Sequence, residues 1–526
     1  MLYALALLLS ADVDARPGCL TQAMRARIGS VGEDDRPAAV GYVDSADYPI
    51  RVHYRRDQDA DRAEDVVLPA AERAWEVEVD QMGWPPPAGD GDLGGDTDRF
   101  DLYLTNEDTY GGAWTWGPLQ DVVSDDGWYS VAAFIALDER EITSADMPDF
   151  VAHEFNHALQ FTIDGWETTI FVWESTANAM EELVVPDSNL YVLDIPYFNA
   201  LPFESLLFDG YTDEVTEYDP WSTYEYGGAI TGLYLEHAFG SDDGTTLLQL
   251  WLDLAQGSAD DEPDYIDALD AIGGDIAPTY QDVYLGIAEW RMFIADDDDG
   301  AHYPEASEWG RSSKVATEGQ LNLSEIDGTA VTPVDAPYDL GTSYWVISVD
   351  DDTGGSLHLD VTGDDGVQWG VVAAAWQEDG PAVVVSERSE GATVAAELDL
   401  TGATQVMVGV ANLGRANLNA EARHPRNTFT LSFRRDAAVV DADDTGSTEV
   451  PSPRKQEETS GCGCSTGSGS SLGLVALTLL AARRRRVQID RAAPFTVHGR
   501  APPPAPPEPN GSLVSPPRPH RLHHGH

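Results

Sequence analysis

The chain is 526 residues long, more than one ordinary hydrophobic core organises, so two or three folded units are expected. Its 42% apolar content with 9% aromatics is that of a globular protein, while 92 Asp plus Glu against 30 Lys plus Arg give a net charge of −62. Such a surface repels phosphate backbones and anionic lipid, which argues against nucleic-acid or membrane-surface binding by the folded part; an acidic secreted or salt-tolerant proteome accounts for the charge without a dedicated acidic function.

MLYALALLLSA (1–11) is a short apolar run followed by small residues, and 1–18 reads as a secretory signal segment. No run between 20 and 460 is apolar for long enough to span a bilayer. The three cysteines, Cys19, Cys462 and Cys464, avoid the body of the chain, so no disulfide framework holds it together. YPIRVHY (48–54) alternates as a half-buried strand, with His53 an ordinary strand side chain. Residues 66–82 form an amphipathic helix pattern that stops before Gly83 and Pro85–Pro87. GDGDLGGDTD (89–98) brings aspartates and glycines together, chemistry suited to calcium or simply to an acidic turn. FDLYLTN (100–106) and YSVAAFIALD (129–138) are the next strands.

A helix carrying VAHEFNHALQF (151–161) follows, with Ser144 and Asp146 as candidate caps and Pro148 in its first turn. Further helices are expected at 173–184 and 223–240, and helical patterns continue to Ile294. Strands first and helices afterwards describe an α+β domain over 38–303. The DDDD run at 296–299 reads as a solvated loop between domains. From Tyr338 seven short strand patterns separated by Gly, Asp and Asn turns predict an antiparallel β-sandwich domain over 304–436. Residues 437–461 are acidic and aperiodic, an expected linker.

The chemistry concentrates in His153, Glu154 and His157, an H-E-x-x-H pattern. On a helix, residues i and i+4 stack on one face, so both imidazoles reach one point while Glu154 is turned about 100° away. A zinc ion takes such nitrogen ligands and leaves a position for water, and a carboxylate beside it acts as general base. A third protein ligand must come from elsewhere. Residues 158–164, ALQFTID, contain no histidine, which leaves a glutamate on the following helix. Glu174 in WESTA is the choice, with Glu181 and Glu182 behind it as acids of a solvated face and Glu167 set aside as part of the loop. Asn178, one turn after Glu174, is a candidate partner for a ligand histidine or a plain surface amide. His237 is a remote candidate for a further donor.

HEFNHALQ, WESTA and YEYGG, in this order, resemble the gluzincin zinc metallopeptidases, in particular the secreted metallopeptidase type found in myxobacteria, over residues 48–295. The resemblance implies a zincin-like fold, His153, His157 and Glu174 as zinc ligands and Glu154 as the base. It implies an oxyanion-stabilising tyrosine at Tyr224, with Tyr226 in reserve. It also gives 129–138 the role of pairing its backbone with an extended peptide substrate.

SGCGCSTGSGSSLGLVALTLLAARRRR (460–486) resembles the myxobacterial C-terminal sorting tag, in which Cys462 and Cys464 match the Gly-Cys motif read by the cell-surface sorting machinery. Its apolar stretch, 470–482, is short for a transmembrane helix, so any membrane contact runs through the tag. Residues 487–526 are a Pro-, His- and Arg-rich disordered tail, and HRLHHGH within it reads as low complexity. The expectation is a secreted zinc endopeptidase anchored at the outer cell surface and acting on protein or peptide. The alternative is a catalytically silent adhesion or binding protein with a vestigial zincin domain.

Overall fold

The structure, a computed structural model, describes residues 36–437 except 92–96, 107–111, 117–129, 166, 168, 209–222, 242, 256–264, 273–277, 350–353, 379 and 416–425. The chain divides into Met1–Thr445 and Gly446–His526, and every described residue belongs to the first unit. The expected signal segment, the linker beyond Ala437, the sorting tag with Cys462 and Cys464, and the tail lie outside the described residues. Among the described residues no helix is long and apolar enough to cross a membrane.

The chain is α+β, with one mixed sheet and two further sheets that are largely antiparallel. The mixed sheet is built from β1 (Gly41–Asp44), β2 (Ile50–Tyr54), β3 (Phe100–Thr105), β4 (Ala113–Trp116) and β5 (Phe134–Asp138) in the order β1-β2-β3-β5-β4. β2, β3 and β5 run parallel, while β1 and β4 are antiparallel edges. Residues 57–81 make a helical run in which Leu68–Ala74 (α1) is regular and Ala63–Val67 and Trp75–Gln81 are π-helical turns.

The motif helix α2 (Met147–Asp164) packs against β4 and β5 and lies beside its partner α3 (Ile170–Val184), which is followed by α4 (Ile195–Ala200). Asp146 is the residue before α2, but its carboxylate accepts from Thr143 Oγ1 at 2.6 Å and makes no cap hydrogen bond. The helix expected over 223–240 is broken at Gly228 into α5 (Tyr224–Gly227) and α6 (Ala229–Phe239). A side chain at Gly227 would strike the Asp194 carbonyl, and one at Gly228 the Phe171 ring, so both glycines are required by close approach. α7 (Thr245–Leu254), α8 (Tyr265–Ala271) and α9 (Tyr280–Trp290) complete the helical part.

All seven expected C-terminal strands are present: β8 (Thr342–Ser348), β9 (Gly355–Gly363), β10 (Trp369–Gln377), β11 (Val383–Arg388), β12 (Thr393–Asp399), β13 (Ala403–Asn412) and β14 (Phe429–Ala437). Two short strands, β6 (Gly319–Asn322) and β7 (Ala330–Val331), add to them. They form sheets of order β11-β10-β13-β8-β6 and β12-β9-β14-β7, antiparallel apart from β6 beside β8. Apolar residues of both sheets, among them Trp345, Leu359, Val371, Val408 and Phe433, share one core. The alternate residues Tyr344, Val372, Ala374 and Met407 point the other way, into the core of the helical part. That double burial explains why GVVAAAWQ is apolar throughout rather than alternating. Hydrogen bonds from Tyr344 Oη to the Ala288 carbonyl (2.8 Å) and from Tyr280 Oη to the Leu413 carbonyl (3.0 Å) fix α9 against this face.

The DDDD loop is more than a solvated connector. Asp299 Oδ2 accepts from the Ala382 backbone N–H, and the Asp297 carbonyl accepts from Trp376 Nε1, so both bind it to the strand-rich part.

Candidate metal centre

α2 is buried without interruption from Phe150 to Phe161, which places a row of polar side chains in a dry interior. His153, His157 and Glu174 converge there, each with less than 2% of its surface exposed. His153 Nε2 and His157 Nε2 are 3.1 Å apart, and each is 3.3 Å from Glu174 Oε2. Ligands about 2.0–2.1 Å from a tetrahedral zinc ion stand about 3.3 Å from one another. The triangle therefore has the dimensions of one face of such a site.

The outward nitrogens settle the protons. His153 Nδ1 lies 3.0 Å from Glu181 Oε1 and His157 Nδ1 lies 2.7 Å from Gln160 Oε1, both acceptors. The ring protons belong on Nδ1, so the Nε2 lone pairs of both rings face the Glu174 oxygen. Three electron-rich atoms this close repel one another unless a cation lies among them. With both rings protonated instead, burial would still push the Glu174 pKa up, but the charge of His157 and hydrogen bonds from both histidines would outweigh it and hold the carboxyl below its ordinary value. The donor set of two imidazoles and one carboxylate fits zinc.

Glu154 is buried beside this group and is held by Thr115 on β4, whose hydroxyl lies 2.6 Å from Oε2 and 2.8 Å from the Glu154 carbonyl. Of the two tyrosines of YEYGG, the one against the cluster is Tyr226, its ring stacked on His153 at 5.9 Å between centroids and 19° between planes. Tyr224 is fully buried among Phe171, Phe198 and Phe208, with its hydroxyl donating to the Ser205 carbonyl at 3.0 Å. The two residues lie two positions apart on a helical turn, so they point in different directions.

Several other expected residues stand elsewhere. Asn178 donates to the Tyr226 carbonyl at 2.9 Å, and the hydrogen bonds to the ligand histidines come from Glu181 and Gln160. Glu181 is thus buried at the site and not on a solvated face. Glu167 accepts from the Thr169 backbone N–H within its own turn. Glu182 is half-buried beside other acids, and His237 is exposed with its ring against Trp290.

β5 is an interior strand paired on both sides, by β3 and β4, which removes the backbone edge that the substrate-pairing role required. The strand at that edge is β4. In the glycine-rich turn, Asp90 pairs with Arg36 and Asp98 accepts from the Gly91 N–H, while Asp92 and Asp96 lie outside the described residues. Thr115 and Gln160 were not foreseen as site residues, and Glu181 was foreseen only as a fallback third ligand, not as the partner of His153. For Gln160 a signal existed, since it follows His157 by three positions on the same helix face.

No protein-family model matches the sequence, and no curated protein matches it. Solved structures similar to part of it include the pre-peptidase C-terminal domain of a collagenase from Bacillus anthracis, at 11% identity, covering 23% of this chain and 97% of that one, with a TM-score of 0.16. A surface-associated copper-binding protein important in copper acquisition in Methylomicrobium album BG8 is 5% identical, covering 23% of this chain and 100% of that one, with a TM-score of 0.17. A periplasmic inhibitor of g-type lysozyme from Aeromonas hydrophila is 13% identical over 23% of this chain and 100% of its own, with a TM-score of 0.16. Scores of this size assign neither a fold family nor an activity to the chain.

Proposed function

We propose that the protein is a zinc-dependent endopeptidase of the gluzincin type, secreted and held at the outer cell surface by its C-terminal tag. The observation that carries this reading is the convergence of two Nε2 lone pairs and a Glu174 oxygen within 3.1–3.3 Å, with a second glutamate, Glu154, adjacent in the helix. In this reading the mixed sheet with α2 and α3 is the zincin-like domain and the two strand-rich sheets form a β-sandwich.

A bound zinc ion supplies Lewis acidity toward the scissile carbonyl and makes water acidic enough to be used near neutral pH. Glu154, oriented by Thr115, takes the proton of the attacking water and delivers it to the departing amine. Tyr226 takes over the role first expected of Tyr224, because its ring lies against His153 and the Tyr224 hydroxyl is engaged by Ser205. β4, with one edge unpaired among the described residues, is the strand able to pair with an extended peptide.

The rival, a silent adhesion protein, draws support from the engagement of Tyr224 with Ser205 but gives no reason for a base held beside an intact ligand set. Cleavage of an unfolded generic protein by the full chain, with and without a zinc chelator and beside Glu154→Ala, separates the two. Activity lost in both cases supports the peptidase. Zinc-loaded protein that cleaves nothing supports the adhesion reading.

A further inference from the structure

A buried chain of amides runs away from the His153–His157–Glu174 cluster along α2. His157 Nδ1 meets Gln160 Oε1 at 2.7 Å, Gln160 Nε2 donates to Asn156 Oδ1 at 2.7 Å, and Asn156 Nδ2 donates to Glu78 Oε2 at 2.9 Å. All four side chains are fully buried, and Glu78 comes from the π-helical turn that precedes β3.

The direction of this chain is forced at its centre. Besides Asn156, the Gln160 amide nitrogen faces the Trp173 carbonyl at 3.2 Å and Thr176 Oγ1 at 2.8 Å. A carbonyl only accepts. Thr176 places its single proton on the Val172 carbonyl at 2.6 Å and also receives Trp251 Nε1 at 3.0 Å, so it too can only accept from Gln160. Turning the amide over would set its oxygen against three acceptors in a dry interior, where a polar group left unsatisfied is costly. Gln160 Oε1 is thereby obliged to face His157, which must carry its proton on Nδ1.

We infer that Gln160 is a positioning residue that locks the tautomer of His157, presenting an Nε2 lone pair to the metal corner before any ion arrives. The inference rests on the metal reading of the preceding subsection for its purpose, though not for its geometry. Glu78 closes the chain by accepting from Asn156, and Thr176 ties the lock to α3, the helix that carries Glu174. One network thus orients a ligand of α2 against the helix that supplies the third ligand.

The test uses the full chain labelled with 15N-histidine, in two measurements. The first is the ring-proton position of His157 in zinc-free protein, read from two-bond proton–nitrogen correlations. The second is the zinc dissociation constant by competition with a chelating dye. Wild-type His157 is expected as the Nδ1–H tautomer. Gln160→Met should populate the Nε2–H form and weaken zinc binding by roughly 10- to 100-fold. Gln160→Glu keeps an acceptor facing Nδ1 and should retain the tautomer, while its second oxygen, set against the same three acceptors, lowers stability.

An Nε2–H tautomer in the wild-type protein overturns the inference without recourse to any variant. So does a folded Gln160→Met protein with unchanged affinity and tautomer. Wild-type protein that shows the Nδ1–H tautomer but binds no zinc would instead refute the metallopeptidase reading and leave the lock standing.

Discussion

The hydroxyl of Thr115 lies 2.6 Å from Oε2 of Glu154, so the edge strand of the mixed sheet is hydrogen-bonded to the carboxylate next to the His153–His157–Glu174 cluster. A hydrogen bond to a charged group contributes about 1.5–3 kcal/mol. Thr115→Val should therefore lower kcat on a peptide substrate by roughly 10- to 100-fold, with KM little changed, while Thr115→Ser retains most of the rate. Steady-state kinetics of the two variants decide it, and a Val variant as fast as wild type would show that the base needs no such support.

Glu181 holds His153 as Gln160 holds His157, through an oxygen 3.0 Å from Nδ1. Removing it with Glu181→Leu should reduce zinc affinity by roughly 10- to 100-fold, and Glu181→Gln, still an acceptor, should lose much less. Competition with a chelating dye measures both. Equal affinities for Leu and wild type would mean that His153 is oriented by its packing alone.

The two tyrosines of YEYGG should separate cleanly. Tyr226→Phe keeps the ring on His153 but loses the hydroxyl, and is expected to lower kcat on the order of 100-fold. Tyr224→Phe loses a hydrogen bond to the Ser205 carbonyl and should cost about 1 kcal/mol of stability. Kinetics and thermal melts on both variants check the assignment; the opposite pattern would return the catalytic role to Tyr224.

Glu182 provides a pH dependence away from the metal. Burial, then the charges of Glu305, Asp149 and Asp187, push its pKa from 4.5 up to about 8. The unfolded chain releases this proton near 4.5 and the folded chain only near 8, so unfolding releases a proton in between. Stability falls as pH rises through that window and is undisturbed below it. Glu182→Gln should leave the melting temperature unchanged at pH 4 and raise it at pH 8.5. The gain is on the order of 1–2 kcal/mol once solvent screening of a half-buried group is allowed for. A difference that does not vary with pH would exclude this origin.

What the sequence disclosed followed periodicity. The i, i+4 spacing of His153 and His157 fixes their common face in any helix, and Glu174 follows from the need for a third ligand on the next helix. Seven strands could be read because Gly, Asp and Asn turns punctuate them, whereas β6 and β7 are too short to show a pattern. The partner of His153 could not be read: Glu174, Asn178 and Glu181 sit at i, i+4 and i+7 on one face of α3, and only packing selects Glu181. The resemblance pointed to Tyr224 with Tyr226 in reserve, because sequence does not show that the short turn ending at Gly228 lays the Tyr226 ring, and not that of Tyr224, against His153. The substrate-pairing role that the resemblance gives to 129–138 does not hold because β4, four residues long and without a readable pattern, covers that side of β5.

The alternation along β10, with Val371 in one core and Val372 in the other, bears on how the chain can be trimmed. A cut after Tyr303 would bare Tyr344, Val372, Met407 and Leu413 on one side of the break and the matching face of α9 on the other. Exposing four such side chains costs on the order of 6–12 kcal/mol, as much as the whole margin by which a typical domain stays folded. Separating the two parts at that junction would unfold them instead of releasing a smaller folded unit.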